Sequence, residues 1–175
     1  MTAARNQDKV LNYTEIKSPL GGIILGERNG KICMTDFKGG SRAKNALKFL
    51  AKKHGAKLNR RETPTLKNAK KQLSLYFSGK LSKFDLPLEY AGTGFQETIW
   101  KQLMKIPFGR TVNYGAVAEK TGNPKAARAA GAAIGKNRIS IIIPCHRVIG
   151  KNGSLTGFGG GLRKKEWLLK HERAI

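Results

Sequence analysis

NYGAVAEKTGNPKAARAAGAA, residues 113–133, is the stretch whose reading decides the fold. Asn113 is a good helix N-cap, because its side-chain oxygen can accept one of the backbone N–H groups that a first turn leaves unpaired. A short helix follows through Tyr114, Val117 and Ala118, and Gly122 ends it. Asn123 caps a second helix, with Pro124 at its first position, where no amide hydrogen is needed. Two short helices joined by a Thr-Gly-Asn-Pro turn read as a helix-turn-helix. The second helix is nearly bare. Ala126, Ala127, Ala129, Ala130, Gly131, Ala132 and Ala133 surround a single projecting Arg128. Small side chains let a helix backbone come close to whatever it faces. One reading is tight packing on another helix; the other, favoured by the surrounding charge, is close approach to DNA with Arg128 as a probe.

Upstream, Thr93 and Gln96 have capping-box spacing ahead of Phe95, Ile99 and Leu103, a helix that stops before Pro107-Phe108-Gly109. The stretch from Lys80 to Gly94 holds Pro87, Gly92 and Gly94, so the domain boundary falls there: residues 1–90, then residues 91–175. The first part reads as α/β. Gly22 to Gly26 and Ile32 to Phe37 are expected strands, joined by a hairpin turn at Arg28-Asn29-Gly30. Ser41 is the expected cap of a helix carrying Ala43, Ala46, Leu47 and Leu50 on one face. A further helix from about Thr65 spaces Leu66, Ala69, Leu73 and Tyr76 and ends at Gly79.

Thirty-four Lys and Arg stand against eleven Asp and Glu, a formal charge of +23. Residues 1–90 carry 19 basic and 7 acidic residues and residues 91–175 carry 15 and 4, so the excess is not held in a tail. Such a field draws in polyanions, nucleic acid above all; a merely solubilising charge is the bland alternative. The hydrophobic fraction of 39% is enough to fold, but no apolar run approaches the ~20 residues that span a bilayer. The opening Met1-Thr2-Ala3-Ala4-Arg5-Asn6-Gln7-Asp8 lacks a leader's apolar stretch. The expectation is a cytoplasmic protein, nucleoid-associated in a prokaryote, with no membrane contact. Cys33 and Cys145 sit in unrelated contexts, which argues against a disulfide.

Ile139 to Ile143 reads as a short buried strand ended by Pro144, with Cys145, His146 and Arg147 directly after. A lone cysteine is more often a small core hydrophobe. A cysteine leaving an apolar run beside a histidine and an arginine sits instead in an electropositive setting that favours the nucleophilic thiolate. Cys33, between Ile32 and Met34, takes the core reading.

Pro144-Cys145-His146-Arg147-Val148-Ile149-Gly150 resembles the active-site motif of the O6-alkylguanine-DNA alkyltransferases. The likeness extends through Phe95-Gln96, Trp100, Ile106-Pro107-Phe108-Gly109, Thr111, Tyr114-Gly115, Ala126-Ala127-Arg128-Ala129 and Asn137. It continues at Gly153, Gly160-Gly161, Lys165 and Leu168-Leu169. It covers roughly residues 90–173; the first half is similar only in general pattern. The resemblance implies a ribonuclease-H-like α/β domain with a small antiparallel sheet. A mostly α, winged-helix-like helix-turn-helix domain follows.

It also implies roles. Cys145 would accept the alkyl group, His146 would act as base through a water, and Glu172 would hold the imidazole. Tyr114 would protonate the leaving guanine, and Asn137 would link the recognition helix to the active-site segment. Arg128 would fill the stack left by a flipped nucleotide, with Tyr114, Lys125, Ala127, Ala129 and Arg147 also on DNA in the minor groove. Phe95, Val148, Phe158, Gly159 and Gly160 would line the base pocket, the Gly153–Gly161 loop closing over it. The implied partner is double-stranded DNA carrying O6-alkylguanine, with O4-alkylthymine as a second substrate, met by a monomer.

Departures are Asn113 for a common serine, Arg138 for a frequent proline and Phe158 for a tyrosine, which loses a pocket hydroxyl. Relatives with a structural zinc use more ligands than Cys33 and His54 supply, so neither metal nor cofactor is expected. Competing readings are a non-catalytic binder of alkylated DNA with the same fold, a cysteine hydrolase, and an alkylation-sensing regulator. The binder would lack the acceptor cysteine. The hydrolase explains neither the charge nor the helix-turn-helix, and the regulator needs a further domain.

Overall fold

The computed structural model describes residues 9–175, so the opening segment Met1–Asp8 read above lies outside the described residues. The chain falls into two compact units that divide between Ala91 and Gly92.

In the first unit, β1 (Val10–Ser18), β2 (Gly21–Arg28) and β3 (Lys31–Phe37) form an antiparallel meander. Asn29 and Gly30 make the β2–β3 turn with φ of 52° and 74°, the positive pair that a tight type I′ turn demands. Helix α1 (Arg42–His54) returns the chain to β4 (Lys57–Arg60), which pairs with the far side of β1. Because the helix reverses the chain direction, β4 runs parallel to β1. The sheet, of order β3-β2-β1-β4, is therefore mixed, correcting the expected antiparallel sheet. Ser41 sits at the start of α1, but its side chain makes no capping bond.

Helix α2 (Pro64–Phe77) is capped by the Thr63 hydroxyl, which accepts from the Leu66 amide, with Pro64 in the first turn. Its buried residues are Leu66, Ala69, Leu73 and Tyr76. On α1 the buried face is Ala43, Ala46, Leu47 and Leu50, packed on Leu11, Ile24 and Met34. The strap after α2 closes the outer edge of β3. Ile32 donates to the Pro87 carbonyl at 2.8 Å and accepts from the Glu89 amide at 2.9 Å, which pairs the start of that edge.

The second unit opens with α3 (Gly94–Leu103), whose Thr93–Gln96 capping box is complete. The Trp100 indole donates to the Ala133 carbonyl at 2.9 Å, tying α3 to the bare helix α5 (Ala127–Gly135). Between them, β5 (Val112–Asn113) leads into α4 (Tyr114–Glu119), with the Asn113 side chain accepting from the Ala116 amide. Pro124–Ala126 is a 3₁₀ turn rather than the first turn of α5, and the Asn123 side chain makes no cap bond there. One face of α5 packs through Ala130, Ala133 and Ile134, while Arg128, Ala129 and Ala132 stand exposed.

The segment Ile139–Ile143 is not the expected strand. It folds back on itself, Ile143 N–H to Ile139 carbonyl at 2.9 Å and Ile142 N–H to Ser140 carbonyl at 2.9 Å, with Ile141 at φ 74°. The apolar run is legible as buried, but burial alone does not distinguish a strand from a tight buried turn. Cys145–Arg147 is one 3₁₀ turn, β6 (Val148–Ile149) pairs with β5, and α6 (Leu162–His171) closes the unit. No helix among the described residues is long and apolar enough to cross a membrane.

The positive φ at Gly30 gives a test. Gly30→Ala should lower the unfolding free energy by about 1 kcal/mol through left-handed strain, read as a lower urea midpoint at unchanged slope.

Candidate active site

The buried turn and the 3₁₀ turn after Pro144 deliver Cys145 and His146 into the interior, where Cys145 is 6% exposed and His146 fully buried. A β-branched residue at positive φ is strained by about 1–2 kcal/mol, so packing must over-determine the Ile141 conformation just before the cysteine.

Asn137 sits immediately after α5 and is itself buried. Its oxygen accepts from the Ile139 amide at 2.9 Å, so its NH₂ faces the other way. That group donates to the Ile143 carbonyl and to Cys145 Sγ, both at 3.1 Å. One amide thus joins the end of the recognition helix, the strained turn and the sulfur.

Glu172 is 1% exposed and lies just past α6. His146 Nε2 meets its Oε1 at 2.8 Å, and Arg147 clamps it with Nε to Oε2 at 2.7 Å and Nη2 to Oε1 at 3.0 Å. The third guanidinium bond goes from Nη1 to the Ile106 carbonyl at 2.6 Å. Burial works against ionisation of Glu172, but the hydrogen bonds and charges of His146 and Arg147 outweigh it and hold the carboxyl down at about 2. Burial also pushes the His146 imidazole below its ordinary value, against the pull of Glu172 and with the push of Arg147 and Lys165. His146 is therefore neutral near pH 7, and Arg147 is the countercharge. A carboxylate can only accept, so the imidazole proton sits on Nε2 and the lone pair on Nδ1. His146 Nδ1 is buried and takes no hydrogen bond from the protein.

Lys165 is the functional residue to which sequence reasoning assigned no role. It is fully buried, and its amine donates to the carbonyls of Val148 and Thr156, tying the active-site turn to the Gly153–Gly161 loop. Burial lowers it to about 8, against an opposing pull from Cys145. Its signal was present: it precedes the buried Leu168 and Leu169 by three and four positions, on the inward face of α6.

Arg147 is not on the DNA face. It is 6% exposed and fully engaged by Glu172 and Ile106, so its expected role as a DNA contact is corrected to that of an internal anchor. Lys125, Arg128 and Ala129 are exposed and Ala127 half-buried, on the outer side of the turn and α5. The Tyr114 hydroxyl donates to the Thr156 carbonyl at 3.1 Å. Phe158 lies edge-on to His146, centroids 6.5 Å apart, while Val148 is fully buried. Phe95 is 41% exposed, Gly159 exposed and Gly160 half-buried. Cys33, by contrast, is driven up to about 12 by burial and by the carboxylates of Glu89 and Glu27, which leaves it an inert thiol.

Fold and site together define a class: a buried cysteine and a fixed imidazole carried on a helix-turn-helix body. Residues 11–90 match the 6-O-methylguanine DNA methyltransferase ribonuclease-like domain, and residues 94–174 match the DNA-binding domain of the same proteins. A methylated-DNA–protein-cysteine methyltransferase of Methanosarcina acetivorans is 41% identical over 161 residues, 91% of this chain and 97% of that protein. The one of Shigella flexneri is 56% identical over 102 residues, 58% of this chain and 60% of that protein. The crystal structure of the Mycobacterium tuberculosis O6-methylguanine methyltransferase superposes with a TM-score of 0.79 at 36% identity, covering 94% of each chain. A structure of the M. tuberculosis protein in complex with DNA gives the same score at 37% identity, covering 93% of each. The chain belongs to the methylated-DNA–protein-cysteine methyltransferase family, and residues 94–174 are its DNA-binding domain.

The Glu172 clamp predicts an acid limb. A carboxyl held down at about 2 contributes stability above its ordinary value of 4.5 and loses it as pH falls from there toward 2. The loss should be roughly 3 kcal/mol, measured by urea unfolding at a series of pH values. Glu172→Gln should flatten that limb and cost about 3–5 kcal/mol at neutral pH, because Arg147 is left buried without its partner.

Proposed function

We propose that this chain repairs DNA by moving an alkyl group from guanine O6 to Cys145 Sγ, once per molecule. The observation that carries this is the free lone pair of His146 Nδ1, fixed by Glu172 beside a buried cysteine that Asn137 holds. The cysteine proton passes to Nδ1 through a water, and the thiolate attacks the alkyl carbon as the carbon–O6 bond breaks. Guanine takes the released electron pair and a proton from the Tyr114 hydroxyl, which must leave the Thr156 carbonyl to give it. The thioether formed has no carbonyl for water to attack, so the protein is consumed.

O6 within a duplex is closed to in-line attack, so the nucleotide is flipped, at a cost of a few kcal/mol. The bare outer face of α5 lies against the minor groove and the exposed Arg128 fills the vacated stack. Phe158 walls the base against His146. O4-alkylthymine presents the same alkyl–oxygen bond and is the second substrate. The protein works as a monomer at the nucleoid or elsewhere in the cytoplasm. A non-catalytic binder of the same fold needs no acceptor, and Cys145 stands in place here.

Incubation with a duplex carrying O6-methylguanine should add one methylene to the Cys145 peptide and none to the Cys33 peptide, read by mass spectrometry. Cys145→Ala should abolish transfer and keep DNA binding. Transfer surviving in that variant would contradict the assignment.

A further inference from the structure

The first unit has a positive surface that alkyl transfer leaves unused. Residues 38–71 contain twelve Lys and Arg and a single acidic residue, Glu62. Three of the twelve are taken up by carboxylates: Lys38 by Glu15 at 2.8 Å, Arg42 by Asp36 at 2.7 Å and Lys70 by Glu62 at 2.6 Å. Lys44, Lys48 and Lys52 are all exposed and belong to none of the ion pairs among the described residues. They recur every fourth residue on α1, so they form one stripe with amines about 6 Å apart along the axis.

The stripe borders a cleft of about 280 Å³ between α1 and the sheet. Lys44 and Lys48 of α1 line it together with Lys38, Tyr13 and Leu58, and Glu15 is the one carboxylate. Strand alternation puts Arg60 of β4 on the same face as Leu58.

We propose that this face of the first unit, centred on Lys44, Lys48 and Lys52, is a second DNA contact that grips the phosphate backbone of duplex outside the lesion. Charge complementarity selects the partner: like-charged amines spaced along one helix match a line of phosphates and carry no base-reading group. An anionic membrane fits less well. The large apolar side chains exposed on this unit, among the described residues, are Phe49 and Leu58 alone, too few to anchor in lipid. Duplex is also already supplied. Residues 94–174 match a DNA-binding domain, so duplex is a partner this chain already meets. The surface stands on its own charges, independently of the transfer chemistry.

The test uses the full chain with Lys44→Gln, Lys48→Gln and Lys52→Gln together, binding an undamaged duplex longer than one footprint over a potassium chloride series. Loss of three phosphate contacts lowers the slope of log affinity against log salt by about 2.7. The rate of Cys145 alkylation by free O6-alkylguanine base, which has no phosphate, stays at the parent value. Lys44→Arg, Lys48→Arg and Lys52→Arg together keep the parent slope, which separates charge from any loss of folding. An unchanged slope in the glutamine variant overturns the proposal. So does a variant that keeps its DNA slope but no longer binds phosphatidylglycerol vesicles, which assigns the face to a membrane. Failure of the transfer reading shows elsewhere, as a parent protein whose Cys145 gains no alkyl group.

Discussion

The buried carboxylate of Glu172 is the interaction on which the rest of the site depends. A charge 1% exposed is tolerable only when paired and hydrogen-bonded, and Arg147 and His146 between them occupy both oxygens. The requirement runs both ways. Arg147 has to be drawn inward, so the residue after His146 becomes scaffold. His146 has to offer its Nε2 proton, so the lone pair falls on Nδ1. Gly109 belongs to the same constraint: at φ 73°, any Cβ there would sit 2.9 Å from the Glu172 carbonyl.

Around this pair, the sulfur is held by connections that reach into the DNA-binding elements. Asn137 couples the end of α5 to Cys145, and Lys165 couples the turn carrying Val148 to the loop carrying Thr156. Tyr114 closes the circuit from α4 to that same loop. Short polar contacts thus run without a break from α4 and the end of α5 to the Cys145 sulfur and the Gly153–Gly161 loop.

Much of this was legible before the structure. The helix-turn-helix, the capping box at Thr93 and the Asn29-Gly30 turn depend on local chemistry, and local chemistry is what a sequence displays. Strand β1 was missed because Val10–Ser18 mixes polar and apolar residues on both faces, with Leu11 alone fully buried and no period of two to detect. Strand β4 is four exposed residues placed by pairing with β1, a long-range event. In the site, Cys145 and its neighbours could be read, but Arg147 could not be placed. Outward and inward arginines look alike in one dimension, and only the arrival of Glu172 from twenty-five residues away decides between them. Lys165 was marked as inward-facing by its spacing from Leu168 and Leu169, but its role could not be read because its partners are carbonyls, which every residue has.

The most direct measurement of the central claim is the protonation pattern of His146 at neutral pH, by nitrogen NMR on protein labelled at the histidine ring nitrogens. The geometry predicts a neutral ring with the proton on Nε2 and a bare Nδ1. A ring carrying both protons, or one protonated at Nδ1 alone, would leave Cys145 without its base and contradict the account.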